Sequence, residues 1–511
     1  YHSLYVYIIK EEKDKMLFCG IDVGTSGVKA VIFDEKGEMA ATAFLAYVLD
    51  LKSDGTRELN ACDIWEKTKQ VVGMAVAQSK GDICAIAVSS FGEAFVMLDK
   101  DDHELNDVMI YTDRRGEKEY FEAMQKSSDL EIARICGLPP STTYSISKIL
   151  YLKHNFLQLY EKADKILLIE DYINYKLCGY AVTDGSVACR TMLFDVHKRE
   201  WSEILMNKFG IDKNKFSKPM MTGEKVGPIL PNIAKELGLL QDVQIVVGGH
   251  DQPISAMGAG IRKNTTVCSM GTSECMTPVF DRAIDPNITL KTSLSSEPAW
   301  EKGKFSTLAY NPTSGLLIKW FFDVFAEDFK ETPYALFEKN MPQNPTKIFV
   351  QPYLMGSGPP YMDFRARFGL VGADIGTSRY ELYKAVLEGL ALDQRLSYEI
   401  LRDQGVQIDT IICVGGGSKS LPWLQAKADV MQVSVSTLKC KEAGALGCAI
   451  ACAVAMGAYE SFEQAGEQMS AIAGTIEPNV QNKKFYDEKF SVYKNLHSDL
   501  KTVCDFVSSW A

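Results

Sequence analysis

Two Gly-Thr-Ser turns, each set between apolar segments, have the residue types and spacing that best suit phosphate chemistry. The turns are Gly24, Thr25 and Ser26, and then Gly271, Thr272 and Ser273. Their consecutive backbone N–H groups and hydroxyl groups are good donors to phosphate oxygens, and Lys29 adds a cation near the first turn. Asp22 precedes the first turn and could hold Mg²⁺ through water, whereas Ser269 stands at the matching position of the second. The pattern predicts two phosphate turns and one metal ligand, although either turn alone is also typical of an ordinary strand connection.

A single acidic residue, Asp251, follows an apolar segment and a Gly-Gly pair near the middle of the chain. A carboxylate at such a place could accept the proton of a substrate hydroxyl group that attacks a terminal phosphate. The more common role of this position is to cap a helix, which here would begin near Pro253. The sequence leaves both interpretations open.

Three glycines, Gly415, Gly416 and Gly417, follow a predicted strand over 410–414. They would let the backbone approach an adenosine or phosphate group closely, although a sharp strand-to-helix turn alone would also need glycines. Two acidic residues of the first half, Glu93 and Asp113, suit the hydroxyl groups of a sugar. Without further context, a solvated surface charge is the usual role of either residue.

The elements that must position these residues alternate between strands and helices. Residues 16–34 predict two strands joined by the first turn, and residues 39–48 predict a third strand. A helix over 63–78 follows, with Asp63 as its N-cap, and then a strand over 83–88. The chain is therefore expected to have a mixed α/β fold.

An internal repeat predicts how the turns meet. Two pairs of segments share a pattern: 21–33 with 268–280, and 245–253 with 411–422. Two copies of one α/β unit that face each other would bring their turns to a single cleft, with a boundary near residue 258. The counterpart of Asp251 would then lie near Ser418, which is not acidic, so we expect a single base.

Composition narrows the class of protein. A chain of 511 residues exceeds what one hydrophobic core usually organises, and 46% hydrophobic and 24% charged residues are ordinary for a globular protein. The net charge of −11 disfavours a nucleic-acid or anionic-membrane partner. The 13 cysteines form no CxxC pair and the 6 histidines show no ligand spacing, which indicates reduced thiols in a cytoplasmic protein. The apolar stretch 443–458 is short for a membrane span, so we interpret it as an interior helix.

Taken together, the motifs resemble the FGGY family of carbohydrate kinases over about residues 16–460. The blocks stand in the family's order: GIDVGTSGVKAVIFD, YTDRRG, DYINYKLCG, VTDGSVACRTMLFD, GGHDQP, CSMGTSECM, QPYLMGSGPP, AVLEGLALD, GGGSKSLPWLQAKADVMQVSV and EAGALGCAIACA. The stretch 415–435 is close to a family signature and is highly specific. The ordered set, rather than any single block, carries the resemblance.

The resemblance implies two actin-like (ribonuclease H-like) α/β domains, with mixed sheets flanked by helices and an ATP cleft between them. The expected division is an N-terminal extension over residues 1–15, a sugar-binding and catalytic-base domain over 16–258, and an ATP-binding domain over 259–511. ATP and Mg²⁺ are the implied cofactors, a small sugar or polyol is the implied substrate, and a homodimer is the usual assembly. Closure of the two domains would exclude water, so that ATP is not simply hydrolysed.

By the same resemblance, Asp251 matches the family's catalytic base and Asp22 matches the residue that holds Mg²⁺. The two Gly-Thr-Ser turns match the phosphate loops, and the glycines at 415–417 match the adenosine-side loop. Asp113 falls where many members place a sugar-binding acid. We expect Glu93 and Gln252 to bind the substrate together with Asp113 and Asp251.

The chain departs from the family in the region expected to bind the substrate. Residues 90–94 read Ser-Phe-Gly-Glu-Ala, where xylulokinases have a Gln-Met-His-Gly block and glycerol kinases a Gln-Arg-Glu pattern. Residues 356–360 read Gly-Ser-Gly-Pro-Pro, where many members have an arginine before the proline. No particular sugar follows, and xylulose is the default. A nucleotide-gated sugar-binding pseudokinase and a kinase of a non-sugar diol, such as a quorum signal, stay open.

Overall fold

The computed structural model describes residues 16–51, 55–125, 127–260, 262, 264–329 and 333–510. The expected N-terminal extension over residues 1–15 lies outside these ranges. Two large mixed sheets, each flanked by helices, form the architecture, as the sequence predicts.

The strands are β1 (Leu17–Val23), β2 (Gly27–Asp34), β3 (Met39–Ala46), β4 (Asp50–Leu51), β5 (Arg57–Leu59), β6 (Ile83–Ser90), β7 (Phe95–Leu98), β8 (Val108–Met109), β9 (Lys165–Leu168), β10 (Val182–Asp184), β11 (Phe194–Asp195), β12 (Glu200–Trp201), β13 (Lys218–Met220), β14 (Lys225–Pro228), β15 (Gln244–His250), β16 (Thr265–Met270), β17 (Glu274–Phe280), β18 (Glu297–Pro298), β19 (Phe305–Ser306), β20 (Ala309–Asn311), β21 (Phe349–Gln351), β22 (Gly369–Val371), β23 (Thr410–Val414), β24 (Ser434–Leu438) and β25 (Ile472–Ile476).

The α-helices are α1 (Ala61–Gln78), α2 (Glu117–Met124), α3 (Asp129–Cys136), α4 (Ser145–Asn155), α5 (Leu157–Lys162), α6 (Ile169–Cys178), α7 (Gly185–Ala188), α8 (Glu203–Phe209), α9 (Pro231–Leu237), α10 (Asp251–Gly258), α11 (Pro286–Thr292), α12 (Ser314–Phe325), α13 (Tyr334–Asn340), α14 (Arg379–Asp403), α15 (Leu421–Met431), α16 (Ala443–Ala455), α17 (Phe462–Met469) and α18 (Lys483–Ser509).

The first sheet has the strand order β14-β15-β6-β1-β2-β3. β1 and β2 form an antiparallel hairpin around the first Gly-Thr-Ser turn, while β6 runs parallel to both β1 and β15. Asp22 pairs in register with Ser89, and His250 pairs with Ser90. Because parallel strands end at the same edge of a sheet, these residues share one edge, and Asp251 follows it directly.

The second sheet has the strand order β18-β19-β17-β16-β23-β24-β25, with β20 also paired to β17. β16 and β17 form an antiparallel hairpin around the second Gly-Thr-Ser turn, and β23 and β24 run parallel to β16. Ser269 near the end of β16 pairs with Val414 at the end of β23. The second hairpin and its glycine loop therefore lie side by side at one edge.

The second pair of similar segments does not occupy equivalent places. In the first sheet, β6 lies beside the hairpin strand β1 and β15 lies one strand further out; in the second, β23 lies beside β16 and β24 lies further out. β15 therefore corresponds to β24. Asp251 is the first residue of α10, so its counterpart is Ala443, the first residue of α16. The expectation that the counterpart lies near Ser418 is therefore wrong, although the residue there is not acidic, as expected. The shared glycines reflect similar turn chemistry rather than the same position in the repeat.

The first helix begins earlier than the sequence predicts. Asn60 has an extended backbone, and its side chain accepts a hydrogen bond of 2.9 Å from the backbone amide of Asp63. The prediction that Asp63 is the N-cap is therefore wrong. Asp63 lies in the first turn, where its charge favours the positive end of the helix.

Helices α10 and α16, which follow equivalent strands of the two sheets, pack directly on each other. A Cβ atom at Gly258 would lie 1.8 Å from the carbonyl oxygen of Ala443, and one at Gly447 would lie 2.0 Å from that of Ile254. The two backbones can approach this closely only because glycine has no side chain. Residues 445–453 are buried, which confirms the predicted interior helix. Within the described residues, we find no helix that is long and apolar enough to cross a bilayer.

Candidate active site

Asp251 begins α10 directly after the buried strand β15, and its side chain is 33% exposed. The surrounding protein still removes much of the water from this partly exposed carboxyl group, which raises the pKa of Asp251 to about 7; the neighbouring charges of Asp22 and Glu93 act in the same direction, while Arg190 acts against them. Nε2 of His250 lies 3.4 Å from its carboxyl group. The carboxyl group can therefore accept a proton near neutral pH.

Buried acidic residues of the first half of the chain fix the end of β15, just before Asp251. The backbone amide of Gly248 donates to Oε1 of Glu170 at 2.9 Å, and the amide of His250 donates to Oγ of Ser186 at 2.9 Å. Ser186 donates in turn to the carboxylate of Asp184. Glu170 and Asp184 lie beside or within the family-like blocks at 171–179 and 182–195, which was the available signal for them.

Asp22 lies near the end of β1 and accepts one hydrogen bond of 3.2 Å from Ser89. Burial raises the pKa of Asp22, although Ser89 and Lys29 oppose this effect. Among the described residues, neither Asp22 nor Asp251 forms an ion pair with a lysine or arginine. Two neighbouring carboxyl groups without a cation fit Mg²⁺, which takes oxygen ligands and keeps waters.

The two Gly-Thr-Ser turns have similar hydrogen bonding. The amide of Gly24 donates to the carbonyl oxygen of Gly27 at 3.0 Å, and that of Gly271 donates to Ser273 at 2.8 Å. Within the part of the chain that the structure describes, the next two amides of each turn make no hydrogen bond. Each turn therefore has N–H groups available to a phosphate.

The glycine loop after β23 lies against the second turn. Gly415 has φ 87°, and a Cβ atom there would lie 2.8 Å from the carbonyl oxygen of Met270, the residue before Gly271. Ser418 closes the loop by donating from its hydroxyl group to the carbonyl oxygen of Gly415 at 2.7 Å. The structure thus brings the second turn and the predicted adenosine-side loop together.

Lys29 bridges the two halves of the chain. Its Nζ lies 2.6 Å from Oε2 of Glu442, which precedes α16. The predicted contact between Lys29 and a phosphate group stays a prediction. Sequence reasoning missed Glu442, because nothing in the local pattern places it across from β2.

Glu93 lies in the turn after β6 with a left-handed backbone, φ 61°. Its buried carboxylate accepts a hydrogen bond of 2.6 Å from Nε of Arg190. Burial is the largest single influence and opposes the charge of Glu93, but Arg190 and smaller contributions from neighbouring groups together outweigh burial and lower the pKa of Glu93. A Cβ atom at Gly92, the residue before Glu93, would lie 3.0 Å from Cδ2 of His250, the residue before Asp251, so Glu93 and Asp251 lie close to each other.

Asp113 is placed differently from the other predicted substrate ligands. Its side chain is 0% exposed and accepts hydrogen bonds from Nη2 of Arg115 at 2.7 Å and from the amide of Arg57 at 2.8 Å. A sugar hydroxyl group could reach it only by breaking these bonds. The role of Asp113 in substrate binding stays a prediction that this geometry does not favour.

Three further residues lie beside Glu93 and Asp251, of which only Gln252 was predicted from the sequence. The Oε1 atom of Gln252 is buried and has no hydrogen-bond partner among the described residues. The half-exposed Tyr111 lies near Glu93 and Asp251, since burial and then both of their charges raise the pKa of its phenol. Tyr310, from β20, lies near Glu93 as well. An isolated tyrosine gives no sequence signal for such a position.

A buried ion pair fixes the residue that follows the second turn. Lys427 Nζ lies 2.6 Å from Oε1 of Glu274, both side chains are 0% exposed, and the hydroxyl group of Ser314 donates to Oε2 of Glu274 at 3.1 Å. Glu274 directly follows the turn. The pair therefore ties the hairpin to α12 and α15.

A separate cavity of about 750 Å³ is lined by Asn264, Trp300 and Lys304, among other residues. Asn264 precedes β16, whereas the second turn follows it. The cavity thus opens at the opposite end of this strand and is not part of the candidate active site.

Two family models match the chain in succession. The model described as the N-terminal domain of the FGGY family of carbohydrate kinases matches residues 17–258, and the model of the C-terminal domain matches residues 266–456.

Individual proteins resemble the chain over nearly its whole length. It is 29% identical to a xylulose kinase of Bacillus subtilis (strain 168) over 491 residues, which cover 94% of this chain and 97% of that protein. It is 26% identical to an autoinducer-2 kinase of Yersinia enterocolitica, with 95% of each chain covered. A gluconate kinase structure from Lactobacillus acidophilus has a TM-score of 0.88 at 24% identity, covering 95% of this chain and 98% of that one. The similarity to the gluconate kinase structure shows that the two chains share a fold.

Proposed function

Because this chain belongs to the FGGY family of carbohydrate kinases, we propose that it transfers the terminal phosphoryl group of ATP to a hydroxyl group of a small sugar or polyol. The enzyme class, a phosphotransferase with an alcohol group as acceptor, follows from the family. The substrate and the role of each residue are the proposal.

Asp251 is the proposed general base. The observation that carries this role is its position at the start of α10, beside Asp22, with a pKa raised to about 7 first by burial and then by neighbouring carboxylates. Such a group exchanges its proton readily near neutral pH, and its deprotonated form can act as a base. It would take the proton of the acceptor hydroxyl group as that oxygen attacks phosphorus.

The other residues of the cleft would bind and orient the two substrates. The free amides of the two Gly-Thr-Ser turns would donate to phosphate oxygens, and the glycines at 415–417 would lie along the adenosine side. Glu93 and Gln252 would accept hydrogen bonds from acceptor hydroxyl groups. Mg²⁺ held by Asp22 through water would neutralise charge on the phosphate oxygens.

Xylulose is the default acceptor, and the Bacillus subtilis relative, named a xylulose kinase, supports it. A small diol that is not a sugar is the second candidate, supported by the relative named an autoinducer-2 kinase. Both share vicinal hydroxyl groups that could reach Glu93. A nucleotide-gated binding protein without activity is disfavoured, since Asp22 and Asp251 are both present and adjacent.

The acceptor can be identified by measuring ADP release with a panel of ketoses, pentitols, glycerol and short vicinal diols. We expect one class to stimulate ADP release at least tenfold over ATP alone, because water must be excluded until the acceptor binds. The phosphorylated product should be confirmed by mass spectrometry. Tight ATP binding without stimulation by any acceptor would contradict the proposal and favour the binding protein.

A further inference from the structure

Arg190 lies between two acidic residues that come from different halves of the chain. Its Nε donates to Oε1 of Glu93 at 2.6 Å, and its Nη1 donates to Oε1 of Glu297 at 2.6 Å. Nη2 also donates to Oε1 of Glu93, and the guanidinium group lies 5.1 Å from the ring centre of Tyr144. The side chain is only 11% exposed. All three nitrogens of the guanidinium group are therefore bound to carboxylates of the protein.

The segment that carries Glu297 is held firmly against the first domain. The amide of Ser296 donates to the carbonyl oxygen of Gly137 at 2.7 Å, and Nη1 of Arg199 donates to the carbonyl oxygen of Ala299 at 2.8 Å. Ser295 donates to Oε1 of Glu297 at 2.8 Å. The hydrogen bond from Arg190 to this fixed Glu297 therefore limits how far the guanidinium group can turn.

Of the polar atoms beside Asp251 that lack a hydrogen-bond partner among the described residues, Nδ1 of His250 accepts or donates according to its tautomer, whereas two oxygens can only accept. Arg190 uses Oε1 of Glu93, whereas Oε2 makes no hydrogen bond to any residue that the structure describes. Oε1 of Gln252 is likewise without a partner there. A hydroxyl group can donate to these oxygens, but a carboxylate has no hydrogen to offer and would add charge next to Glu93 and Asp251.

The other ionisable groups that could attract an anion near Glu93 are Lys148 and His250. Lys148 is buried, its Nζ donates to the carbonyl oxygen of Thr143 at 2.6 Å, and burial lowers its pKa to about 8. Burial lowers the pKa of His250 to about 3, with Arg190 acting in the same direction, so this imidazole is neutral. Lys148 keeps its charge at neutral pH, but its buried ammonium group is engaged by the carbonyl oxygen of Thr143 and is not presented to an acceptor.

We infer that the ion pairs of Arg190 with Glu93 and Glu297 determine acceptor specificity: because these carboxylates occupy the guanidinium group, Arg190 cannot bind a carboxylate of the acceptor, so the enzyme takes uncharged polyhydroxy compounds and excludes aldonates. This inference rests on the proposed function, because it concerns the acceptor of the same phosphoryl transfer. It separates this chain from a kinase whose acceptor carries a carboxylate, although the fold is shared with the Lactobacillus acidophilus gluconate kinase.

The test compares the best neutral acceptor from the panel with the aldonate of the same carbon number, by kcat/KM and by competitive inhibition. For the wild-type enzyme we expect the neutral acceptor to be favoured at least a hundredfold. Glu93→Gln should lower the ratio of kcat/KM for the neutral acceptor to kcat/KM for the aldonate at least tenfold, because the variant lacks one carboxylate and Arg190 is then paired with Glu297 alone. The double variant Glu93→Gln/Arg190→Met should lose the aldonate activity that the single variant gains.

Glu388→Gln is the matched structural control, since Glu388 is 0% exposed, lies 2.7 Å from Lys489 and otherwise accepts hydrogen bonds from Thr346 and Tyr486, none of which is a residue of the candidate active site. It should lower the thermal midpoint without changing the ratio. If Glu93→Gln does not fold, Glu297→Gln also removes one carboxylate partner of Arg190 and should lower the same ratio of kcat/KM values. Competitive inhibition of the wild-type enzyme by the aldonate, which should be weak, needs no variant.

Two results would overturn the inference. One is a wild-type enzyme that uses the aldonate within tenfold of the neutral acceptor, which would leave the carbohydrate kinase assignment standing. The other is aldonate activity that survives in the double variant, which would show that Arg190 is not its source. A wild-type enzyme that phosphorylates neither kind of acceptor contradicts the proposed function and the inference with it.

Discussion

Asp251 has an unusually high pKa for an aspartate in the first turn of a helix. A carboxylate in the first turn of a helix is usually stabilised as an anion by the helix dipole. Here burial and the nearby charges of Asp22 and Glu93 outweigh that effect and raise its pKa to about 7. The sequence predicted where the acid lies, but its neighbours come from residues 22 and 93, which only the fold brings close.

The pH dependence of kcat/KM should report the proton affinity of Asp251. Because a general base must be deprotonated and its pKa is raised to about 7, the rate should fall tenfold per pH unit well below pH 7. The measurement is kcat/KM for the acceptor at saturating MgATP between pH 5 and 9. A rate independent of pH between 5 and 7 would argue against Asp251 as the base.

Arg190 and Glu297 mark the limit of what residue patterns could reveal. Each is a single charged residue without a characteristic spacing, and they are 107 positions apart. Their partnership depends on β18 of the second sheet lying against the first domain. No local rule connects such residues.

At the scale of elements, the strand-turn-strand units were the best predicted part of the molecule. Glycine, threonine and serine between apolar runs determine both hairpins locally, so the sequence placed both turns correctly. The pairing of segment 245–253 with 411–422 failed because glycine turns recur at the ends of different parallel strands. Which strand lies next to the hairpin is decided by long-range packing, which a local motif does not encode.

The contact between α10 and α16 gives a test at this scale. A Cβ atom at Gly447 would lie 2.0 Å from the carbonyl oxygen of Ile254, so Gly447→Ala must push the helices apart. We expect a loss of about 1–3 kcal/mol in the free energy of unfolding, as in overpacked cores, and a lower kcat because α10 carries Asp251. Urea unfolding and steady-state kinetics would measure the two effects.

Gly73→Ala is the control for this substitution. Gly73 lies inside α1 and would have nothing within 4 Å of an added Cβ atom, so alanine should stabilise the helix by about 0.5–1 kcal/mol. Equal effects of the two substitutions would contradict the close packing of α10 on α16.

At the scale of the whole molecule, contacts between the two halves meet around the candidate active site. Lys29 reaches Glu442 near the first Gly-Thr-Ser turn, and Arg190 reaches Glu297 beside Glu93. The start of α16 also lies against the first sheet, because a Cβ atom at Gly444 would lie 3.4 Å from the carboxyl group of Asp22. We therefore expect the site to draw residues from both sheets.

The two-sheet architecture was predictable because the repeat and the order of family-like blocks both pointed to it. The position of Asp113 was not, since its burial with Arg115 depends on the packing of β5 and β8. The identity of the substrate could not be predicted from the sequence for a similar reason. It depends on which polar atoms in the cleft have no partner within the protein, and only the folded chain determines this.

The most direct test of the account is phosphoryl transfer by Asp251→Asn in a single turnover, with enzyme in excess over radiolabelled ATP and the best acceptor present. We expect the rate to fall by about 10²–10⁴-fold, the usual loss for an acid–base group, while affinity for MgATP and the thermal midpoint stay close to wild type. A variant that transfers phosphate at nearly the wild-type rate would contradict the assignment of Asp251 as the base.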